Sequence, residues 1–306
     1  MIICVLYGGT SSEREVSLKS GIGILDSLQK EFKAYGYDFN GDFKDLYENL
    51  QKADIVFNAL HGGEGENGTL QLFFEENNIA FTGSNSKSSK IAMDKLSSKI
   101  ICDENSILTP DWIIYNEDLN KVEKFNNKSI VVKPADDGSS MGLSIIENFN
   151  VNDKEKIDLL NDAIVKCRNI SKNVLIEEYI AGKELTISIL DNKALPAIEI
   201  KPKNILYDYE CKYQKGNSDY IAPAILDEDI LEQLEQISLK IFNLFACRHY
   251  GRVDYKLSVD NRIYFLELNT LPGFTKTSLF PKAAAAANIS YDDLIKSIVK
   301  QIKNKF

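Results

Sequence analysis

Apolar residues in this chain fall into short runs that stop at glycine and then give way to stretches with helical spacing. Ile2 to Tyr7 is such a run. It ends at Gly8-Gly9, Thr10-Ser11-Ser12 follows, and a helical pattern starts at Glu13. Asp54 to Leu60 repeats the scheme and ends at His61-Gly62-Gly63. Gln71 to Asn77 reads as a helix and Ile79 to Thr82 as another strand. Buried strand, glycine turn and helix in alternation indicate a parallel α/β sheet whose ligand-binding loops lie at the carboxyl ends of its strands.

Further along, Gly83 to Lys90 is rich in Ser, Asn and Lys and marks a boundary. Met93 to Glu104 is a helix; Ile130 to Lys133 and Leu143 to Ile146 are strands around a glycine- and serine-rich loop. Asn152 to Asn169 is a helix, Val174 to Tyr179 a strand, and Glu184 to Leu190 and Ala194 to Ile200 alternate as antiparallel strands do. The polar, tyrosine-rich stretch Lys201 to Ala222 has no period and is long for a loop, which fits either a functional lid or disorder. A helix from Asp227 to Phe245 leads into the last strands, and Ala283 to Ala287 belongs to a helical C-terminal region.

Those last strands carry the most specific chemistry. Val253 to Val259 and Ile263 to Leu268 are rich in β-branched and aromatic residues, with the turn signal Asp260-Asn261 between them. A hairpin centred on that turn sets Asp254 opposite Glu267 and Arg252 opposite Asn269. All four then share one face of the sheet. Carboxylates directly opposed sit with β-carbons about 5 Å apart and repel, and a cation between them removes the cost. Asp, Glu and an Asn amide are hard oxygen donors suited to Mg²⁺ or Mn²⁺ bound with phosphate. An ordinary exposed strand face can also carry such charges.

Composition narrows the class. At 306 residues, 44% hydrophobic and 26% charged, the chain is an ordinary globular protein of two or three domains. A net charge of -9 disfavours nucleic acid and anionic membrane surfaces as partners. The five cysteines (Cys4, Cys102, Cys167, Cys211, Cys247) are scattered, as expected of free thiols in a reducing cytosol. Met1 to Tyr7 is too short and too uncharged for a signal peptide, and no apolar run is long enough to span a membrane.

Four further segments admit two readings each. The small residues of Lys133-Pro134-Ala135-Asp136-Asp137-Gly138-Ser139-Ser140-Met141-Gly142 can turn backbone N–H groups onto phosphate oxygens with Lys133 as a point charge, or form a plain hairpin turn. Glu177 to Glu184 can hold an adenine edge and a ribose, or be a solvated connector. Gly8 to Glu15 offers N–H groups at a helix start as an anion site, with Glu13 capping its helix or facing a ligand ammonium. The turn Pro272-Gly273 after the metal strand can expose the Gly273 N–H to an oxyanion, or be a plain β-turn. His61, at a strand's carboxyl end, is a ligand contact or structural; His249 is structural.

In order along the chain, these segments resemble the D-alanine–D-alanine ligases of the ATP-grasp superfamily. The resemblance rests on Gly8-Gly9-Thr10-Ser11-Ser12-Glu13-Arg14-Glu15-Val16-Ser17, Ala59-Leu60-His61-Gly62 with Gly65-Glu66-Asn67-Gly68, and Met93-Asp94-Lys95. It continues through Val132-Lys133-Pro134 with Gly138-Ser139-Ser140, Tyr207-Asp208-Tyr209-Glu210 with Lys212-Tyr213, and Gly251-Arg252-Val253-Asp254. Glu267-Leu268-Asn269 and Pro272-Gly273 complete it. Asn67, Met141 and Leu271 depart from the residues common there, and none of them removes a charge at the chemistry.

The resemblance implies an α/β (α+β) protein with a three-domain ATP-grasp architecture. Residues 1–84 form an N-terminal parallel α/β domain, 85–176 a central subdomain, and 177–306 a metal-binding domain with an omega loop at 201–222. Two sheets sandwich ATP, and two Mg²⁺ or Mn²⁺ ions are held by Asp254, Glu267 and Asn269. Lys95, Lys133, Ser139, Ser140, Lys212 and Asn269 belong to the phosphates, and Glu177, Glu178, Ile180 and Glu184 to adenine and ribose. Glu13 and His61 hold the first D-alanine, Ser278 and Leu279 the carboxylate of the second, and Arg252 with Gly273 the oxyanion. Tyr213 latches the lid onto Ser139 and Glu13, and Tyr207 and Tyr213 favour D-alanine over D-lactate as second substrate. A cytoplasmic homodimer acting in cell-wall precursor synthesis is implied. Ligation to D-lactate or D-serine is the close alternative. A non-catalytic ATP-binding module is the distant one, against which the intact set Arg252, Asp254, Glu267 and Asn269 argues.

Overall fold

The structure, a computed structural model, describes residues 1–138, 141–202 and 218–303. The chain opens with β1 (Ile2–Gly8), α1 (Arg14–Leu28), β2 (Lys33–Phe39), α2 (Phe43–Leu50), β3 (Ile55–Asn58) and α3 (Thr69–Glu76). The strands form a parallel sheet in the order β2-β1-β3. β1 reads as unbroken apolar sequence because both its faces are covered. Ile3 and Val5 point into a core with Ile24 and Leu28 of α1 and with Leu294, Ile298 and Ile302 near the chain's end. Cys4 and Leu6 point into the opposite core with Leu46, Leu70 and Phe74. β2 escaped the hydrophobic pattern because it carries polar residues and Gly36. The glycine is required: a β-carbon there would lie 2.4 Å from the Tyr7 hydroxyl. Ile79 to Thr82 contributes a single parallel bridge, Val56 to Phe81, rather than a strand. Gly83, at φ +91°, turns the chain away directly afterwards.

The expected helix Met93 to Glu104 is two helices, α4 (Ser86–Met93) and α5 (Lys95–Glu104). Asp94 breaks the run with extended backbone and caps α5, accepting from the Leu96 N–H at 3.0 Å. The predicted boundary segment therefore runs straight into helix α4.

Next come β4 (Trp112–Ile114), α6 (Leu119–Val122), β5 (Lys128–Pro134), β6 (Ser144–Phe149), α7 (Lys154–Arg168) and β7 (Val174–Glu178). They build an antiparallel sheet in the order β4-β7-β5-β6. Leu160, Ala163 and Ile164 of α7 pack on Ile130, Val132 and Ile176, so the alternate residues Val131, Lys133 and Glu177 face the other way.

A larger antiparallel sheet follows, from β8 (Gly182–Leu190), β9 (Lys193–Ala194), β10 (Ile198–Pro202), β11 (Ser218–Ile221), β12 (Tyr250–Ser258) and β13 (Ile263–Asn269). Its order is β11-β10-β8-β12-β13, with β9 on β8. The helix α8 (Glu228–Leu244) covers one face, burying Leu234, Ile241 and Phe242 against Leu185, Val253 and Phe265. The chain closes with α9 (Leu279–Ala286) and α10 (Tyr291–Lys303). The uncovered faces of the two antiparallel sheets look at each other across a cleft. No helix among the described residues is long and apolar enough to cross a membrane.

The β12–β13 hairpin pairs Arg252 with Asn269 and Asp254 with Glu267, as the turn-centred register requires. Asn261 takes the left-handed conformation expected of the turn, at φ +60°. Between those pairs and the turn, however, the ladder slips by one residue. Tyr255 faces Phe265, and Leu266 is the extra residue of a β-bulge. The slip swaps the faces of neighbours: Phe265 is fully buried in the core, while Leu266 and Glu267 both line the cleft.

Candidate active site

On the β5–β7 side of the cleft, Glu177 is buried and held by two lysines. Lys133 donates to its Oε1, and the Lys99 ammonium lies 2.8 Å from its Oε2. Burial alone raises a carboxyl pKa; here Lys133 and Lys99 outweigh it and bring Glu177 down to about 2. Lys99 is lowered instead, because burial and the nearby Lys133 charge oppose the one carboxylate it meets. Glu178 pairs with Lys128 at 2.7 Å, and its N–H is taken by the Asp111 carbonyl. Across the cleft, Glu184 of β8 pairs with Lys256 at 3.1 Å. Ile180, Val131, Met141, Leu143 and Leu266 give this end an apolar lining between the charged groups.

The opposed carboxylates on the hairpin are already compensated by the protein. Arg252 clasps Asp254 with two hydrogen bonds, Nε to Oδ1 at 2.9 Å and Nη2 to Oδ2 at 2.8 Å. Thr186 donates to the same carboxylate at 2.6 Å and Asn269 at 3.0 Å. Glu267 has Lys95 at 3.8 Å, and Lys95 also donates to the Asp137 carbonyl at 2.5 Å. Repulsion between Asp254 and Glu267 does demand a cation, but Arg252 and Lys95 supply it, so that repulsion is no argument for a metal by itself.

At the other end, the fold itself uses several of the N–H groups expected to serve an anion in the glycine loop after β1. The Gly8 N–H is spent on the Ser17 hydroxyl at 2.9 Å and the Gly9 N–H on the Phe39 carbonyl at 2.8 Å. Those of Glu13 and Arg14 go to Ser11. Glu13 does not cap α1 with its side chain. Its buried carboxylate lies beside Gly62, where a β-carbon would sit 2.9 Å from Oε2. His61 is held on both ring nitrogens, by Ser20 at 3.2 Å and by Glu66 at 3.5 Å. Gly273 lies between His61 and Ser278; a β-carbon on it would come 2.8 Å from the Ser278 Oγ and 3.8 Å from the His61 ring. Ser278 precedes α9, its hydroxyl 2.7 Å from that of Thr275. His249 accepts from the Gly83 N–H at 3.1 Å and is structural, as expected.

Glu13, His61, Arg252, Asn269, Gly273, Ser278 and Leu279 line one cavity; Lys133, Glu177, Glu178, Ile180, Glu184 and Asp254 line a second. Lys95, Gly138 and Glu267 line both, so the two are ends of one cleft. Ser139, Ser140, Tyr207, Lys212 and Tyr213 lie outside the described residues, as does most of the expected lid. Sequence reasoning missed Lys99, Lys256, Leu266 and the partnering role of Glu66. Lys99 follows Lys95 by one helical turn, and that spacing was the available signal.

Comparison with known proteins agrees with this geometry. The family profile described as D-ala D-ala ligase C-terminus matches residues 105–300, and that of the D-ala D-ala ligase N-terminus matches residues 40–84. The D-alanine–D-alanine ligase of Aquifex aeolicus is 38% identical over 98% of this chain and 100% of its own length. The crystal structure of the D-alanine–D-alanine ligase from Bacillus anthracis superposes with a TM-score of 0.87 at 35% identity, covering 99% of this chain and 98% of that one. Its complex with ATP gives 0.85 at 32%, with the same coverage. Two profiles together spanning most of the chain, and relatives matched end to end, establish that it belongs to the D-alanine–D-alanine ligase family.

Proposed function

We propose that ATP lies between the two antiparallel sheets and that two molecules of D-alanine meet where Glu13, His61, Arg252 and Gly273 converge. The protein is an ATP-dependent ligase that forms D-alanyl-D-alanine, ADP and phosphate, and the dipeptide serves peptidoglycan precursor synthesis. The observation that supports the reading is the continuous cleft: through the wall shared by Lys95, Gly138 and Glu267, a nucleotide held among Lys133, Glu177 and Glu184 would reach with its terminal phosphate toward the cavity of Glu13, His61 and Arg252.

The first D-alanine is held by Glu13 on its ammonium, with His61 beside it. Its carboxylate oxygen attacks the γ-phosphorus in line, and the bond to ADP breaks. The amine of the second D-alanine, its own carboxylate against Ser278 and Leu279, attacks the carbonyl of the acyl phosphate. A C–N bond forms, nitrogen loses a proton, and phosphate leaves. Arg252 and the Gly273 N–H face the oxyanion of that step. Lys95 and Lys133 meet the phosphates; Glu177, Glu178, Ile180 and Glu184 hold adenine and ribose. Ser139, Ser140, Lys212 and the lid tyrosines Tyr207 and Tyr213 complete the enclosure in this reading and keep water from the acyl phosphate.

Asp254, Glu267 and Asn269 fit divalent ions: they are hard oxygen donors on one face of the cleft. With Asp254 and Glu267 already balanced by Arg252 and Lys95, the nucleotide's phosphates are the natural source of the remaining oxygen ligands. Mg²⁺ or Mn²⁺ there would neutralise phosphate charge. Both substrates point to the cytoplasm, and a homodimer is proposed, to be checked by sedimentation.

The deciding assay is ADP and phosphate release with D-alanine, Mg²⁺ being omitted in the control. Mg²⁺-dependent release of one ADP per dipeptide is expected. Faster turnover with D-lactate or D-serine than with D-alanine as acceptor near neutral pH would overturn the substrate assignment.

A further inference from the structure

Among the described residues, Lys99 is the most deeply buried cation that the reaction scheme leaves unused. It is 1% exposed and lines neither cavity. Its ammonium donates to the Thr109 hydroxyl at 2.8 Å and the Pro110 carbonyl at 3.2 Å and forms an ion pair with Glu177 Oε2 at 2.8 Å. Thr109 in turn donates to the Phe265 carbonyl at 3.1 Å, beside the bulge that places Glu267. One ammonium thus ties α5, the loop before β4, β7 and β13 together.

The charge balance of this cluster is uneven. Two ammonium groups share one carboxylate, which leaves one positive charge, and Lys133 is the lysine that reaches the cleft. Without Lys99, the Glu177 charge would fall wholly on Lys133 and cancel it. We propose that Lys99 is a positioning residue for the nucleotide: by taking half of the Glu177 charge and fixing its carboxylate, it leaves Lys133 a net cation for phosphate. This rests on the reading of the cleft as an ATP site.

Calorimetric titration of the full chain with ADP and with AMP, both with Mg²⁺, tests it alongside steady-state kinetics and thermal melts. Lys99→Met is expected to weaken ADP about tenfold, the scale of one unit charge acting over several ångströms in a partly polarisable interior. AMP weakens less, KM for ATP rises in step with ADP, and KM for D-alanine holds. Adding Glu177→Gln to Lys99→Met restores the net charge and should recover most of the lost ratio of ADP to AMP affinity, from which the adenine and ribose contacts of Glu177 cancel. A merely structural role predicts the reverse, a double variant worse than either single one. ADP affinity of folded Lys99→Met within about twofold of the parent, or no recovery in the double variant, overturns the proposal. Should Lys99→Met fail to fold, Glu177→Gln alone decides: it must raise the ratio of ADP to AMP affinity, and an unchanged ratio overturns the idea. Lys133→Met separates the two claims. If it leaves ADP binding intact, the ATP-site reading itself fails; if it abolishes ADP binding while Lys99→Met does not weaken it, only the role of Lys99 fails.

Discussion

Two charged clusters face each other across one cleft and are balanced differently. On the β5–β7 side, Lys99 and Lys133 enclose Glu177, two cations to one anion, deep in the protein. On the hairpin side, Arg252 and Lys95 meet Asp254 and Glu267, two against two, at the cleft wall. The first has more cationic groups than anionic ones and suits phosphate without assistance. The second is neutral as it stands, and gains attraction for a nucleotide only when divalent ions join it. Like residue types therefore do different work according to the count of charges that burial forces together.

Breaking the balanced side should have the largest effect. Arg252→Met takes from the four-fold bonded Asp254 the cation that clasps it and removes a group from the oxyanion. Turnover should fall about 10³-fold and stability by about 3 kcal/mol, read by kcat and by urea unfolding. Unchanged stability would show that Thr186 and Asn269 suffice for Asp254.

Glu267→Gln removes an anion and leaves Lys95 with surplus charge. We expect roughly a 10²-fold loss of kcat and a shift of the Mg²⁺ activation curve to higher concentration. Unaltered Mg²⁺ dependence would remove Glu267 from the metal ligands. Chelation of divalent ions should silence the parent enzyme while leaving its melting temperature nearly unchanged, because the hairpin is neutral without them.

Gly273→Ala probes the D-alanine end of the cleft. The new methyl would meet the Ser278 Oγ at 2.8 Å, so the two must part by several tenths of an ångström. KM for D-alanine should rise about tenfold with ADP affinity intact. A rise in KM for ATP instead would mean that the two ends of the cleft are not separable.

The smallest effect is on acid stability. Glu177 titrates near 2 in the fold against 4.5 ordinarily, so the stability it contributes is complete above about pH 4.5 and is lost as pH falls toward 2. Glu177→Gln should flatten the stability curve in that window and nowhere else, as measured by denaturant midpoints against pH.

Much of this was legible in the chain. Asp254 opposite Glu267 follows from an alternating pattern and a turn dipeptide, both local properties, and so does β1 as a strand buried on both faces. The bulge was written there too, though less plainly. Ile263 and Phe265 are two residues apart, but the next buried position, Leu268, is three further on, and that odd step is the inserted residue. β2 was not legible, because its fitness as a strand lies in the Tyr7 ring filling the space above Gly36. The glycine loop after β1 was legible only in part, because the partners of the Gly8 and Gly9 N–H groups, Ser17 and Phe39, come from later in the chain.

By itself the sequence determined which segments become strands and helices, which residues share a face, and which family they spell, because these follow from spacing and residue type. Only the tertiary structure decided what each charge meets. Lys99 lies 78 positions before Glu177 in the chain yet 2.8 Å from it in space, and Arg252 at the cleft wall clasps Asp254. Electrostatic partners are chosen by distance and burial, which arise when separate elements pack, and no local pattern carries them.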